Sequence, residues 1–128
     1  MPVTYQIDGT RNTVRTRCTG HVKLHEVIAH FEELMHDPHC PRQLNVLLDL
    51  TELTSAPTSE QLVSVREAIT QARSTVQFHT CAIAAPTDLL FGVMRMFEVF
   101  TEKEFQLTRT FRQLEDAEKW LNEQSGGS

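Results

Sequence analysis

Two short apolar runs constrain the fold of this chain more than any other feature. Residues 44–50 (LNVLLDL) and residues 78–85 (FHTCAIAA) are almost continuously apolar. A strand that is covered on both faces has this pattern, whereas a strand with one wet face alternates apolar and polar residues. The two runs therefore predict central strands of a sheet that lies between helices.

Amphipathic segments separate and follow these runs. Apolar residues spaced by three and four predict helices over residues 21–36, 58–76, 88–101 and 114–121. Thr58 and Gln61 have the spacing of a capping box, and Thr87 precedes the third helix as its N-cap. Alternation of apolar and polar residues on both sides of Asp8-Gly9 predicts an N-terminal hairpin. The same kind of alternation predicts a last strand over residues 105–111.

The resulting order, β-β-α-β-α-β-α-β-α, predicts an α/β fold. Helical connections imply an open, mostly parallel five-stranded sheet with an N-terminal antiparallel hairpin and about four helices. A length of 128 residues fits one domain, which we place at 1–124, with 125–128 (SGGS) as a flexible tail. Ligands of such sheets bind at the carboxyl ends of the strands, here the loops after Leu50 and Ala85.

Net charge, apolar run length and cysteine content limit the partners and the cellular location that we expect. Seventeen acidic and twelve basic side chains give a net charge of −5, and no aromatic residue alternates with Arg11, Arg15 and Arg17 in the hairpin, so we expect no nucleic-acid partner. No apolar run approaches the roughly 18 residues of a membrane span, so we expect no membrane insertion. Three cysteines without a CxxC motif, and no leader-like start, predict a cytoplasmic location.

Polar residues gather in the two loops where a ligand or a partner is expected. These residues are Asp49, Thr51, Thr54, Ser55, Thr58, Ser59, Thr87 and Asp88. Asp49 and a nearby hydroxyl could form an acid/base pair for hydrolysis. The alternative is that Asp49 ends a strand and binds neighbouring backbone. We predict no catalytic residue.

Histidines and cysteines do not form an organised site. His21 and His25 are four residues apart, but no HExxH or paired CxxC motif accompanies them, so we predict no metal, no cofactor and solvated histidines beside the first helix, His30 included. Cys81 lies in a buried strand, two residues from His79 on the same expected face. We interpret its thiol as a small apolar group rather than a nucleophile.

The third predicted helix is apolar over an unusually wide arc. One stripe, interpreted as the face on the sheet, consists of Leu89, Val93, Met96 and Phe100. A second stripe consists of Leu90, Met94 and Phe97. An apolar stripe of this kind must be covered by something. Another helix of the chain, a second copy of the chain and an apolar ligand are the alternatives, and we interpret the second stripe as a dimer or ligand surface.

Three segments, LNVLLDLTEL, CAIAAPTDLLFGVMRMFEVF and TFRQLEDAEKWL, resemble the SpoIIAA-like (STAS/SEC14-like) bacterial family over residues 3–122. The resemblance implies an open sheet of five strands with four helices. In STAS relatives, a partner kinase phosphorylates a serine at the start of the helix after an LDLS-type strand. The resemblance therefore implies Thr58 and Ser59 as possible phosphosites, although Pro57 and Glu60 depart from the pattern. Helix capping by the same hydroxyls is the alternative.

Three functions remain open at this point. The first is a non-enzymatic interaction or regulatory module of the STAS type, a homodimer through the third helix that binds a protein partner. The second is a carrier that holds a small apolar, lipid-like ligand in a SEC14-like pocket. The third is a small hydrolase that uses Asp49.

Overall fold

The computed structural model describes residues 2–126, and its element order confirms the predicted α/β fold. After an initial hairpin of two strands, four helices alternate with three further strands in this part of the chain. The elements are β1 (Val3–Asp8), β2 (Thr13–Gly20), α1 (Leu24–Met35), β3 (Gln43–Leu53), α2 (Ser59–Ala72), β4 (Gln77–Ala84), α3 (Asp88–Phe100), β5 (Leu107–Phe111) and α4 (Leu114–Gly126).

The strands form one sheet in the order β1-β2-β3-β4-β5. β1 pairs antiparallel with β2, and every later pair is parallel. Because parallel crossovers are right-handed and each new strand is added on the same side, α1, α2 and α3 all fall on one face of the sheet. We call this the three-helix face; α4 covers the other, which we call the α4 face.

Side-chain alternation along β3 divides the core between these faces. Leu44, Leu48 and Leu50 belong to the large cluster under α1, α2 and α3. Leu47, one residue out of phase, belongs to a smaller cluster under α4. The apolar run that predicted a doubly covered strand therefore supplies both halves of the core.

A register shift interrupts the alternation in β4. Leu44 pairs with Phe78, but Val46 pairs with Cys81, so β4 contains one additional residue between these pairs. Phe78 and Cys81 consequently both join the three-helix cluster, and His79 does not. The predicted shared face of His79 and Cys81 is therefore wrong, because a bulge changes the face of every residue beyond it.

Three element boundaries differ from the sequence expectations. β3 continues to Leu53, so its loop starts later than predicted, and β5 begins at Leu107. Phe105 instead lies before β5, buried against Phe78 with ring centroids 5.1 Å apart. α4 extends to Gly126, which includes the first two residues of the predicted tail. The other two, Gly127 and Ser128, lie outside the described residues.

On α3, the stripe interpreted as a dimer or ligand surface is the deeply buried one, and of the stripe expected to face the sheet only Val93 and Phe100 pack against the core. The buried stripe is only 3–5% exposed and consists of Leu90, Met94 and Phe97. The exposed apolar residues are Leu89 (69%), Met96 (42%) and Val99 (63%). Leu90, Met94 and Phe97 are covered by their own chain, so their assignment as a dimer surface is wrong.

A polar contact on α3 accompanies this orientation. The Glu98 carboxylate accepts hydrogen bonds from the Thr110 amide at 3.1 Å and from the Thr110 hydroxyl at 2.6 Å. Thr110 lies on β5, so this contact ties one edge of α3 to the sheet. Both stripes are apolar enough to form the packed face of a helix. The long-range contact between Glu98 and Thr110 favours the orientation of α3 that the structure shows.

Candidate functional site: a cavity on the three-helix face

A cavity of about 270 Å³ lies between the sheet and the helices of the three-helix face. Protein interiors are close-packed and contain few voids larger than a water molecule. An engineered apolar cavity of about 150 Å³ is large enough to bind benzene. The cavity of this chain is therefore large enough to hold a small organic molecule.

Short side chains on the strands form much of one wall of the cavity. They are Val14, Thr16 and Cys18 on β2 and Val46 on β3. Helices contribute Val27 and Leu34 from α1, Val65 and Ile69 from α2, and Met94 and Phe97 from α3. Of the stripe predicted as a dimer or ligand surface, Met94 and Phe97 thus line a space for a ligand, while Leu90 lies in the surrounding core.

The outer part of the cavity lies at the carboxyl ends of β2 and β3. The exposed lining residues His21 and Lys23 follow β2, and the half-buried lining residues Ser55 and Gln61 follow β3. Ser55 Oγ accepts a hydrogen bond from the Val22 amide at 3.3 Å and so joins the two loops. This is the end of an open α/β sheet at which ligands are expected.

A buried polar pair interrupts the apolar lining. His30 and Thr16 are only 8% and 4% exposed, and His30 Nε2 lies 3.2 Å from Thr16 Oγ1. The imidazole also contacts the rings of Tyr5 and Phe31, with centroids 5.3 and 5.6 Å away. Burial lowers the pKa of His30 to about 4, so the ring is neutral at pH 7.

The prediction of a solvated His30 is wrong. On a helical wheel of α1, His30 lies at the edge of the apolar stripe. The wheel does not show which residues of other elements cover this position. Tyr5 on β1 and Thr16 on β2 cover it, and neither is close to it in sequence. The polar Thr16 between Val14 and Cys18, on the apolar face of β2, is the one sequence signal of a buried polar contact here.

Asp49 does not face the cavity. Alternation along β3 places it with Leu47 on the α4 face, and it is 4% exposed. Its Oδ1 accepts hydrogen bonds from the Thr51 amide at 3.0 Å and from the Thr51 hydroxyl at 2.6 Å. These contacts match the structural alternative, in which the carboxylate binds neighbouring backbone.

Most of the other predicted loop residues have local structural contacts. Thr58 Oγ1 accepts from the Gln61 amide at 3.1 Å and Thr87 Oγ1 from the Leu90 amide at 3.2 Å, which confirms both helix caps. The amide of Thr54 donates to the Gly20 carbonyl at 2.9 Å.

Two further predicted residues lie on the exposed surface. The Asp88 carboxylate pairs with the Arg112 guanidinium. Ser59 is exposed in the first turn of α2, beside the exposed Thr58, and phosphorylation of either residue stays a prediction. Ser55 is the member of the predicted loop set that lines the cavity.

Two cysteines line the cavity as apolar groups. Burial raises the pKa of Cys18 to about 11 and also raises the pKa of Cys81, so both stay thiols at neutral pH. Within residues 2–126, no group of three or more His, Cys, Asp or Glu side chains is arranged to hold a metal ion.

The arginines of the hairpin are paired with acidic groups. Arg15 contacts Glu118 of α4 at 2.6 Å, and Arg17 pairs with Glu52 of β3. These surface pairs reduce the positive charge that the hairpin offers to a polyanion.

A scan against family models and a search of curated proteins found no match to this chain. The SpoIIAA-like resemblance therefore stays a prediction, and the function is inferred from the site. No helix in the described part of the chain has the length and apolar character needed to span a membrane.

Proposed function

We propose that this chain is a non-enzymatic binding domain that encloses a small, mostly apolar molecule on the three-helix face. The observation that carries the proposal is the cavity of about 270 Å³, whose buried lining is apolar apart from Thr16 and His30 among the described residues. Of the three functions that the sequence left open, this geometry favours the carrier.

The energetics of packing support this assignment. Core mutants lose stability in proportion to the volume of the cavity that is left, about 24 cal/mol per Å³, because the atoms that line the space lose packing contacts. Domains are typically stable by only about 5–15 kcal/mol. A molecule that fills the space would restore the missing contacts and stabilise the fold.

The proposal assigns no catalytic residue. Asp49, the carboxylate considered for a hydrolase, lies on the opposite face of the sheet from the cavity and is bound to Thr51. The thiols that line the cavity are protonated at neutral pH. Asp49 therefore lies away from a molecule held there, and the thiols are beside it but are not ionised.

Native mass spectrometry of protein purified from its own host tests the proposal. We expect a bound small molecule that organic solvent releases in stoichiometric amount. A titration with 2-phenylpentane, followed by amide NMR, should shift residues that line the cavity. Absence of a bound molecule together with no cavity shifts would overturn the proposal.

A second candidate function, a homodimer interface on α3, is favoured by one specific observation. Leu89, Gly92, Met96 and Val99 are exposed and follow the spacing of a helix-pairing seam. Space is open around Gly92, with nothing within 4 Å of the position of an added Cβ. A regulatory module of the type considered first would use this surface, and sedimentation of the wild-type protein tests it.

A further inference from the structure

The exposed part of the cavity lining lies at one end of the cavity. Among the described residues, the exposed lining residues are His21 and Lys23, which lie between β2 and α1. At the opposite end, by the amino ends of β4 and β5, the lining residues Phe78 and Phe105 are buried. A molecule from solvent therefore has its shortest path to the cavity at the carboxyl ends of β2 and β3.

Two hydrogen bonds join the loops at this end, and they differ in kind. The Thr54 amide donates to the Gly20 carbonyl at 2.9 Å, next to the last paired residues of β2 and β3, Gly20 and Leu53. This backbone bond extends the ladder between the two strands. Farther from the strands, the Val22 amide donates to Ser55 Oγ at 3.3 Å. The outer bond therefore depends on one side chain.

The outer bond holds the starts of two helices together. Val22 lies just before α1, Ser55 lies in the loop before α2, and both residues line the cavity. In the part of the chain that the structure describes, no other hydrogen bond joins residues 21–24 to residues 55–62. The bond keeps these two segments within hydrogen-bonding distance, so a ring cannot pass between them until it breaks.

The C-terminal ends of the same helices are attached to other elements. Asp37, which follows α1, accepts a hydrogen bond from the Tyr5 hydroxyl of β1 at 2.8 Å. Thr70, in the last turns of α2, donates from its hydroxyl to the Glu104 carboxylate at 2.9 Å. Because these contacts are far from the outer bond, the helices can separate at their N-terminal ends while their C-terminal ends stay in place.

We propose that the hydrogen bond between Val22 and Ser55 is a latch on the cavity. When it breaks, the N-terminal ends of α1 and α2 separate, and a ligand enters or leaves between them. Local opening of this kind is common where few contacts hold a segment. This inference rests on the proposed binding function and adds to it the path of the ligand and the residue that controls the rate of exchange.

Ser55→Ala removes the acceptor of the latch and tests the inference on the whole chain. We expect 2-phenylpentane to associate and to dissociate about fivefold faster than in the wild-type protein, because one hydrogen bond no longer has to break. The Kd should stay the same, since the latch is closed in both the free and the bound protein. NMR exchange spectroscopy measures both rates.

Ser59→Ala is the matched control for this variant. It removes the same hydroxyl from an exposed residue that is close in sequence but is not part of the cavity lining. Its two rates should equal those of the wild-type protein. Hydrogen exchange at the Val22 amide is a readout that needs no ligand, and it should be about fivefold faster in Ser55→Ala.

The outcomes separate the latch from the function beneath it. If Ser55→Ala exchanges 2-phenylpentane at the wild-type rates, the binding function stands and the latch is wrong. If this variant weakens binding through dissociation alone, Ser55 contacts the ligand and the latch is again wrong. If 2-phenylpentane does not bind to the wild-type protein, both the binding function and the latch are wrong.

Discussion

The two faces of the sheet are packed in different ways. On the α4 face, Ala82, Ala84 and Ala117 are completely buried, and Leu47 and Leu121 complete the cluster. Small side chains on β4 let α4 pack closely on the sheet. On the three-helix face, short side chains on the strands and longer aliphatic and aromatic side chains on the helices surround a cavity of about 270 Å³. One face of the sheet is therefore closely packed, and the other leaves an unfilled space.

The largest expected difference between the two faces is in how the stability of the fold responds to acid. The pKa of His30 is about 4 in the folded chain and near 6.5 when the chain is unfolded, so the unfolded chain binds more protons between these values. Stability is therefore lost as the pH falls from about 6.5 to 4, by about 3 kcal/mol from this residue. Urea unfolding at pH 7 and pH 4 measures the loss.

His30→Phe is the control for this acid response, because it keeps a ring and has no titrating group. Its stability should fall by about 3 kcal/mol less than that of the wild-type protein between the two pH values. An equal fall in both proteins would show that His30 is not buried in its neutral form.

A matched substitution on both faces tests the difference in packing. Ala82→Leu places a large side chain in the close-packed cluster and should destabilise the fold by about 2 kcal/mol. Ala56→Leu makes the same change in a half-buried residue that lines the cavity, and should cost less than about 0.5 kcal/mol. Urea midpoints compare the two variants, and equal losses would contradict the contrast between the faces.

The sequence predicts those features of the two faces that depend on the local pattern of residues. The apolar run of residues 44–50 specifies a central strand, and Thr58 with Gln61 specifies the start of α2. The cavity has no local signature, because its volume depends on how far α1 and α2 stand from the sheet. The environment of His30 depends on Tyr5 and Thr16, contacts that periodicity along one helix does not encode.

The third helix shows where periodicity is insufficient. Two apolar stripes of similar character predict that α3 is packed, but they do not predict which stripe faces inward. The hydrogen bonds from Thr110 to Glu98 join residues on different elements, so a helical wheel does not show them. The same limit applies to His79 and Cys81, whose expected shared face was lost to a bulge in β4.

Filling the cavity should remove binding without loss of stability. Val65 lines the cavity from α2, and Val65→Phe places a ring in the space that a ligand needs. We expect at least about tenfold weaker binding of 2-phenylpentane, which corresponds to about 1.4 kcal/mol. Val63→Phe is the matched control, because Val63 is half-buried on the same helix but is not part of the cavity lining. Unchanged binding by the Val65 variant would place the ligand elsewhere.

The smallest expected effect on stability concerns the exposed stripe of α3, which lies outside both packed clusters. Met96→Glu changes a side chain that is 42% exposed, so the unfolding free energy should stay within about 0.5 kcal/mol of wild type. If the wild-type protein pairs through this stripe as proposed, sedimentation should show a dimer for the wild type and a monomer for the variant, since a buried carboxylate on each copy would face the apolar seam. Leu107→Glu, at an exposed apolar residue on β5, is the control and should remain dimeric. A wild-type protein that sediments as a monomer at high concentration would show that the seam binds no second copy.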